Sequence, residues 1–439
     1  MDEALLEQAR DHALRGGGSG MIIRGGKLVF SWGNHETLYD LKSTTKSIGV
    51  TALGLALQDG LVQLDDAAQM HLPGIGVPPE SNTARAWLDD ITVRHLATHS
   101  AGFDKTGGYI DLLFEPGSMW AYSDGGSNWL ADLLTVRFAS DLKDLMFARV
   151  FQPLGLDDKD ITWRNHNYRD DTIAGITRRE FGSGIHADVD AMVRIGYLYL
   201  RMGSWEGQQI LPRAFVEQAA RPDPVLQGLP VHQEDDHPDA SSHYGLLWWN
   251  NGDGRLANVP SDAFWSWGLR DSFIIVIPSL DVVVSRAGNR WRSGWNSDYS
   301  VIEPFLEPIA QSVHDDGSTP DPGQNPVVTI SSPADGASEP EGSTLHFVGS
   351  ATDSEDGDLT SSLEWVSNQA GLVGRGGAFS TSTLPVGKHS ITASVTDSDG
   401  FSGTAAIELS VFESGEDQAA EEDPPPDEGS PPRRTPTYR

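Results

Sequence analysis

The sequence predicts an α+β fold: an antiparallel sheet flanked by helices, with a helical lobe inserted, followed by a small all-β sandwich. Three observations lead there. A hairpin signal stands near the N-terminus, a second strand pair stands near residue 280, and helical spacing dominates the interval between them. Beyond residue 325 the chain changes to short strand-like segments broken by turn residues.

Residues 3–15 carry apolar side chains at helical spacing, and Gly16-Gly17-Gly18 ends that helix. These glycines are not a phosphate loop, because no strand precedes them and no Gly-Lys-Ser/Thr follows. Met21-Ile22-Ile23 and Lys27-Leu28-Val29-Phe30 flank Gly25-Gly26, the pattern of a β-hairpin. A helix is expected from Ser43 to Gln58, with Gly60 as its stop, and others over Val93–Thr98, Ser127–Phe138 and Ala187–Met202. Ser272–Pro278 and Asp281–Arg286 read as paired strands joined at Pro278-Ser279-Leu280. Residues 1–312 thus form a first domain, its sheet built from both ends of the segment. Residues 313–325, rich in Pro, Gly and acids, read as a linker. Residues 326–413 supply strand candidates Val327–Ser331, Ser343–Ser350, Ser362–Trp365, Gly387–Asp397 and Gly403–Val411. Residues 414–439 form an acidic, Pro-rich tail with almost no large apolar side chains, expected to be disordered. There is no internal repeat.

Composition narrows the chemistry. The 439 residues hold 63 acidic and 31 basic side chains, a formal charge of −32. Such a field repels nucleic acid and anionic membrane. It reads as a solvated acidic surface, with adaptation to salty surroundings as the sharper alternative. The absence of cysteine excludes disulfides, thiolate zinc sites and a cysteine nucleophile. No apolar run reaches the length of a transmembrane helix. The first residues lack the basic start and apolar stretch of a signal peptide, so the chain is expected to be cytoplasmic or to begin after a removed leader.

Ser43-Thr44-Thr45-Lys46 is a Ser-x-x-Lys motif. Positions i and i+3 share a helix face, so Lys46 can reach the Ser43 hydroxyl. A serine hydroxyl needs a base to become a nucleophile, and a lysine can serve if its surroundings disfavour the ammonium. The first backbone N–H groups of the helix can help bind an oxyanion. By itself the motif is weak, because a helix-start Ser followed by a surface Lys is common. A second segment adds weight: Pro116-Gly117-Ser118-Met119-Trp120-Ala121-Tyr122-Ser123-Asp124-Gly125-Gly126-Ser127-Asn128. A third is Ser266-Trp267-Gly268-Leu269-Arg270-Asp271-Ser272.

Together these resemble the serine hydrolases of the class C β-lactamase and penicillin-binding-protein superfamily. Ile91–Gly102, Phe151–Leu156, Gly207–Pro212 and Tyr244–Trp249 match other recurring stretches of that family, so the resemblance covers nearly all of residues 1–312. Within the family the chain is most similar to the family VIII carboxylesterases and the 6-aminohexanoate-dimer hydrolases. The resemblance implies Ser43 as nucleophile, Lys46 as its activating partner and Tyr122 as the second proton-relay group. It implies that the Trp267-Gly268 strand lines the site opposite the serine, with the N–H groups of Ser43 and Leu269 forming the oxyanion hole. No metal or organic cofactor is required. His99 reads as structural, since no carboxylate lies at a spacing useful for a His-based triad.

Three departures from the family pattern bear on function. Asp124 stands where Asn is usual, placing near Lys46 a carboxylate that favours the ammonium and opposes a base role. Ser266 stands where β-lactamases and penicillin-binding proteins carry the Lys that reads the substrate carboxylate. Arg270-Asp271 replaces a common Gly-Gly, and Arg270 either recovers that recognition or pairs with Asp271. The expected activity is therefore a carboxylesterase-like cleavage of a small-molecule ester or amide. The alternatives are a β-lactamase or D,D-peptidase, or a catalytically weakened binding protein. Asp353–Thr360 with Leu363-Glu364-Trp365, then Gly387–Ala393 and Val395–Gly400, resemble bacterial Ig-like and PKD-type modules. That implies surface or carbohydrate association and a periplasmic or secreted setting. The acidic run reads as a solvated turn, with a calcium loop as the alternative.

Overall fold

The computed structural model describes residues 1–294, 296–313, 325–353, 356–397 and 401–413. It divides into two compact units, the first chiefly Met1–Asn325 and the second chiefly residues 326–413. Most of the expected linker (313–325) and all of the expected tail (414–439) lie outside the described residues.

In the first unit the two hairpins that stand far apart in sequence become neighbours. Ser19–Arg24 pairs antiparallel with Val282–Ala287, in the register Ser19 to Ala287 and Arg24 to Val282. The sheet has six strands, in the order Trp249–Asn250, Phe264–Trp265, Phe273–Ile277, Val282–Ala287, Ser19–Arg24 and Lys27–Trp32. All its pairings are antiparallel. Phe273–Ile277 and Val282–Ala287 are buried on both faces, which explains why the first is apolar throughout and the second runs Val282-Val283-Val284 before the buried Ser285 and Arg286. On one face Ile274, Val276 and Val283 approach Gly196 of the helix Val189–Leu200 so closely that a Cβ there would lie 2.5 Å from Val283. On the other face Phe273 stacks near Phe305 of the helix Glu303–Gln311. The N-terminal helix Glu3–Ala13 lies against that same helix.

The helical lobe centres on Asp124–Phe138, buried through most of its length. This helix begins at Asp124, three residues before the expected start at Ser127. Ser123 caps it by accepting the Gly126 N–H, and a Cβ on Gly125 would meet Ile110 and the Thr106 carbonyl. The expected helix Ser43–Gln58 is two pieces, Thr44–Gly49 and Thr51–Gln58, meeting at Val50. No helix among the described residues is long and apolar enough to cross a membrane.

The second unit is all-β. One sheet holds Val327–Ser332, Leu345–Asp353, Gly357–Asp358 and Ala378–Thr381. The other runs Ala337–Pro340, Ser402–Phe412, Gly387–Thr396, Glu364–Ser367 and Gly371–Arg375. Leu345–Asp353 alternates buried and exposed residues without a break, and Phe347 and Trp365 bring the two sheets together around one core. Ser354 and Glu355 of the acidic run, and Ser398-Asp399-Gly400, lie outside the described residues. Among the described residues no group of three His, Asp or Glu side chains suits a metal ion.

Candidate active site

The segment Asp40-Leu41-Lys42-Ser43 sets the serine. Leu41 is buried and its N–H donates to the Ile185 carbonyl. The Asp40 carboxylate accepts the Lys42 N–H and pairs with the Lys42 ammonium. Lys42 has φ of 52°, a left-handed conformation unusual for a residue with a side chain. The next turn is tight: the N–H groups of Thr44, Thr45 and Lys46 reach back three residues to Leu41, Lys42 and Ser43. The sheet clamps this turn, since Thr44 Oγ1 donates to the Ser272 carbonyl and Ser272 Oγ donates to that of Leu41. Gly268 packs on it so closely that a Cβ would lie 2.2 Å from the Leu41 carbonyl oxygen.

Lys46 is almost wholly buried, and its ammonium has three donors to place. They go to Ser43 Oγ at 3.1 Å, to the Gly182 carbonyl at 3.1 Å and to Asp124 Oδ1. Asn128, one turn along the helix from Asp124, accepts the N–H groups of Phe181 and Gly182 and so holds that carbonyl in place. Asp124 shares its carboxylate between two ammonium groups, the second being Lys105 at 2.7 Å from Oδ2. Burial alone would push Asp124 up, but Lys46 and Lys105 hold it below the usual carboxylate range.

The Tyr122 side chain hydrogen-bonds that of Ser43. Both Lys46 Nζ and Lys105 Nζ stand 4.7 Å from its ring centroid. Burial pushes the Tyr122 phenol well above its ordinary value, Lys105 opposing, so it keeps its proton at neutral pH. His99 is buried, and burial followed by the nearby Lys46 holds its imidazolium well below the ordinary range. Neutral, it accepts the Ser123 N–H through Nδ1 and stands beside Tyr122, the structural part expected of it.

A cleft of about 390 Å³ opens over these groups, with Ser43, Tyr122 and Asp124 in its wall. Of the residues read for the opposite wall, Leu269 lines it and Trp267, Gly268 and Arg270 do not. Trp267 is buried with Nε1 on Asp271 Oδ1, and Gly268 lies beneath against the serine turn. Arg270 is exposed, and Asp271 instead accepts the Trp291 N–H. Ser266 is buried and its Oγ accepts the Ile274 N–H, so it too stays out of the cleft. Sequence reasoning missed Lys105, Arg164 and Gly182, all three in the wall. It named Asn128 only as part of a motif. The Asn128 match was the available signal for Gly182; nothing local marks the other two.

Glu180 lies just behind the wall. It is fully buried, and burial lifts its carboxyl to about 7 although Arg164 pairs with it. A carboxyl lifted on folding adds stability fully below its unfolded value and loses it as pH rises through the folded one. Glu180→Gln should therefore gain roughly 2–3 kcal/mol relative to wild type between pH 5 and pH 8. Urea unfolding at the two pH values checks this; parallel loss of stability in both proteins would contradict it.

A beta-lactamase family profile matches residues 3–300, about two thirds of the chain. The chain belongs to the beta-lactamase family. An uncharacterized protein of Alkalihalophilus pseudofirmus is 23% identical over 314 residues, 64% of this chain and 87% of that one. Among solved structures, a putative beta-lactamase from Bacteroides dorei superposes with a TM-score of 0.55 at 15% identity, over 70% of this chain and 97% of that one. EstCE1, described as a hydrolase with promiscuous acyltransferase activity, superposes with a TM-score of 0.52 at 18% identity, over 71% and 97%. At these identities the two structures speak for the beta-lactamase fold of the first unit.

Proposed function

We propose that this beta-lactamase family member is a serine hydrolase cleaving a small-molecule ester or amide through an acyl-Ser43 intermediate. The observation that carries the reading is the convergence on one oxygen: Lys46 Nζ at 3.1 Å and the Tyr122 side chain both bond Ser43. Ser43 Oγ attacks the acyl carbonyl carbon, and its proton passes to Lys46 in the amine form. Lys46 hands a proton to Tyr122, which delivers it to the leaving atom as the scissile bond breaks. Water then attacks the acyl group, and its proton returns to Ser43 by the same relay. The N–H groups of Ser43 and Leu269 serve as the oxyanion hole. The relatedness in fold to EstCE1 agrees with this class of chemistry.

Esters are the favoured substrates. Lys46 divides its donors among three acceptors, so Ser43 competes with Asp124 and Gly182 for it and the relay is an imperfect one. An alkoxide leaves with less acid assistance than an amine. The same clamp favours a second reading, a binding protein with weakened catalysis. A β-lactamase or D,D-peptidase is disfavoured because the strand position where those enzymes carry a Lys is the buried Ser266, which stays out of the cleft. The β-sandwich we read as an Ig-like spacer, suited to surface or carbohydrate association. For 4-nitrophenyl butyrate and a chromogenic cephalosporin compared side by side, kcat/KM should favour the ester by about 100-fold. Equal values, or a preference for the cephalosporin, would overturn the esterase reading. Turnover of neither would favour the binding protein.

A further inference from the structure

Between Leu229 and Ser241 the chain leaves the core and returns to it. The Ser241 hydroxyl closes the loop by donating to the Leu229 carbonyl at 2.8 Å. Gln233, Glu234, Asp235 and Asp236 face solvent along it, and His237 alone among the described residues from 229 to 239 is buried. The loop is sewn to the segment that carries Tyr122. The Trp120 N–H donates to the Pro230 carbonyl at 2.9 Å, and the His232 N–H donates to the Trp120 carbonyl at 2.8 Å.

The one buried side chain of this loop lies on the tyrosine. The rings of His237 and Tyr122 stack with centroids 5.3 Å apart and planes 22° from parallel, and Trp120 meets His237 edge-on at 5.4 Å. Burial, with Lys105 and His232 adding to it, holds the His237 imidazolium down to about 4, so the ring is neutral at ordinary pH. His237 Nδ1 hydrogen-bonds the Ser297 hydroxyl at 3.0 Å, and the Ser297 N–H donates to the Asp236 carbonyl at 2.8 Å. The bond to Ser297 satisfies a buried ring nitrogen, and it also fixes the rotation of the ring, which packing by itself leaves free. Trp249 and His99 also meet the Tyr122 ring. Trp249, however, serves the core as well, packing on Tyr244, Trp267 and Tyr299.

We propose that His237 is a positioning residue for the reaction at Ser43: carried on the 229–241 loop and pinned by Ser297, it fixes the Tyr122 ring so that the phenol stays on Ser43 Oγ. This rests on the serine hydrolase reading and adds to it a residue that does not line the cleft. The phenol oxygen stands at the end of a long lever. A small swing about the Tyr122 Cα–Cβ bond carries it off Ser43 Oγ by about 1 Å, a misplacement that costs up to about 10²-fold in rate.

Two butyrates that share an acyl group and differ in leaving group test this, ethyl butyrate and 4-nitrophenyl butyrate. Their kcat/KM values cover the steps up to release of the alcohol. 4-Nitrophenoxide leaves without a proton and ethoxide does not, so the ethyl to 4-nitrophenyl ratio reads the placement of the Tyr122 phenol. In His237→Leu the ratio should fall about tenfold, and in His237→Phe, which keeps a ring on Tyr122, it should stand within about threefold of wild type. Tyr122→Phe sets the scale and should lower the ratio at least as far as His237→Leu. A merely structural loss lowers both rates in proportion to the folded protein and leaves the ratio alone. Should His237→Leu fail to fold, Ser297→Ala releases the ring without removing it and should lower the ratio about threefold. An active wild type whose ratio is unmoved in His237→Leu, or in Ser297→Ala where that variant stands in, would overturn the inference and keep the hydrolase. A His237→Phe ratio as low as that of His237→Leu would also overturn it. A wild type that turns over neither ester would remove the hydrolase reading and this inference with it.

Discussion

Lys46→Met is expected to lower kcat/KM for 4-nitrophenyl butyrate by about 10²–10⁴-fold while leaving the protein folded. The loss follows from geometry. Lys46 Nζ is 3.1 Å from Ser43 Oγ, and the neutral phenol of Tyr122 is a poor acceptor for the serine proton. Folding should survive because methionine fills a similar volume and Asp124 keeps Lys105 at 2.7 Å as its counter-charge. The stable fold separates this loss from simple collapse. Wild-type rates in a Lys46→Met protein of unchanged thermal stability would remove Lys46 from the mechanism.

Asp124→Asn should cost about 1–3 kcal/mol of stability at neutral pH, a deficit that shrinks as the pH falls below the ordinary carboxylate range. Burial pushes the Asp124 carboxyl up, and the Lys46 and Lys105 ammonium groups more than offset that. A carboxyl lowered on folding adds stability above its unfolded value and loses it as pH falls through the folded one. An amide in its place keeps a hydrogen-bond acceptor and removes the charge. Urea unfolding of the two proteins at neutral and at acid pH checks this. Equal stability at neutral pH would mean that the charge of Asp124 does not hold the two lysines.

What the sequence made legible follows the range of the interactions. Ser43 and Lys46 lie one helical turn apart, so their meeting could be read from spacing. Tyr122 and Asp124 entered through resemblance to a family motif, and the structure places both against the Ser43–Lys46 pair. Lys105 was out of reach because the chain folds back between it and Asp124, and no periodic pattern records that loop. Gly182 meets Lys46 from 136 positions away. The expectation that Arg270 enters the site failed to allow for the tight turn from Gly268 to Ser272, which aims Leu269 at the cleft and leaves Arg270 outside. In the fold, the central strands were legible because their turns carry Gly-Gly or Pro-Ser-Leu. Trp249–Asn250 and Phe264–Trp265 are too short to show alternation, Ala337–Pro340 is written in residues of low strand preference, and two glycines break up Gly371–Arg375.

The central claim is that Ser43 forms a covalent acyl intermediate. Intact-mass measurement after treatment with a fluorophosphonate probe tests it most directly, on wild type and Ser43→Ala in parallel. Wild type should gain one adduct and Ser43→Ala none, since the clamped turn presents one serine to Lys46 and Tyr122. Equal labelling of the two proteins would contradict the account.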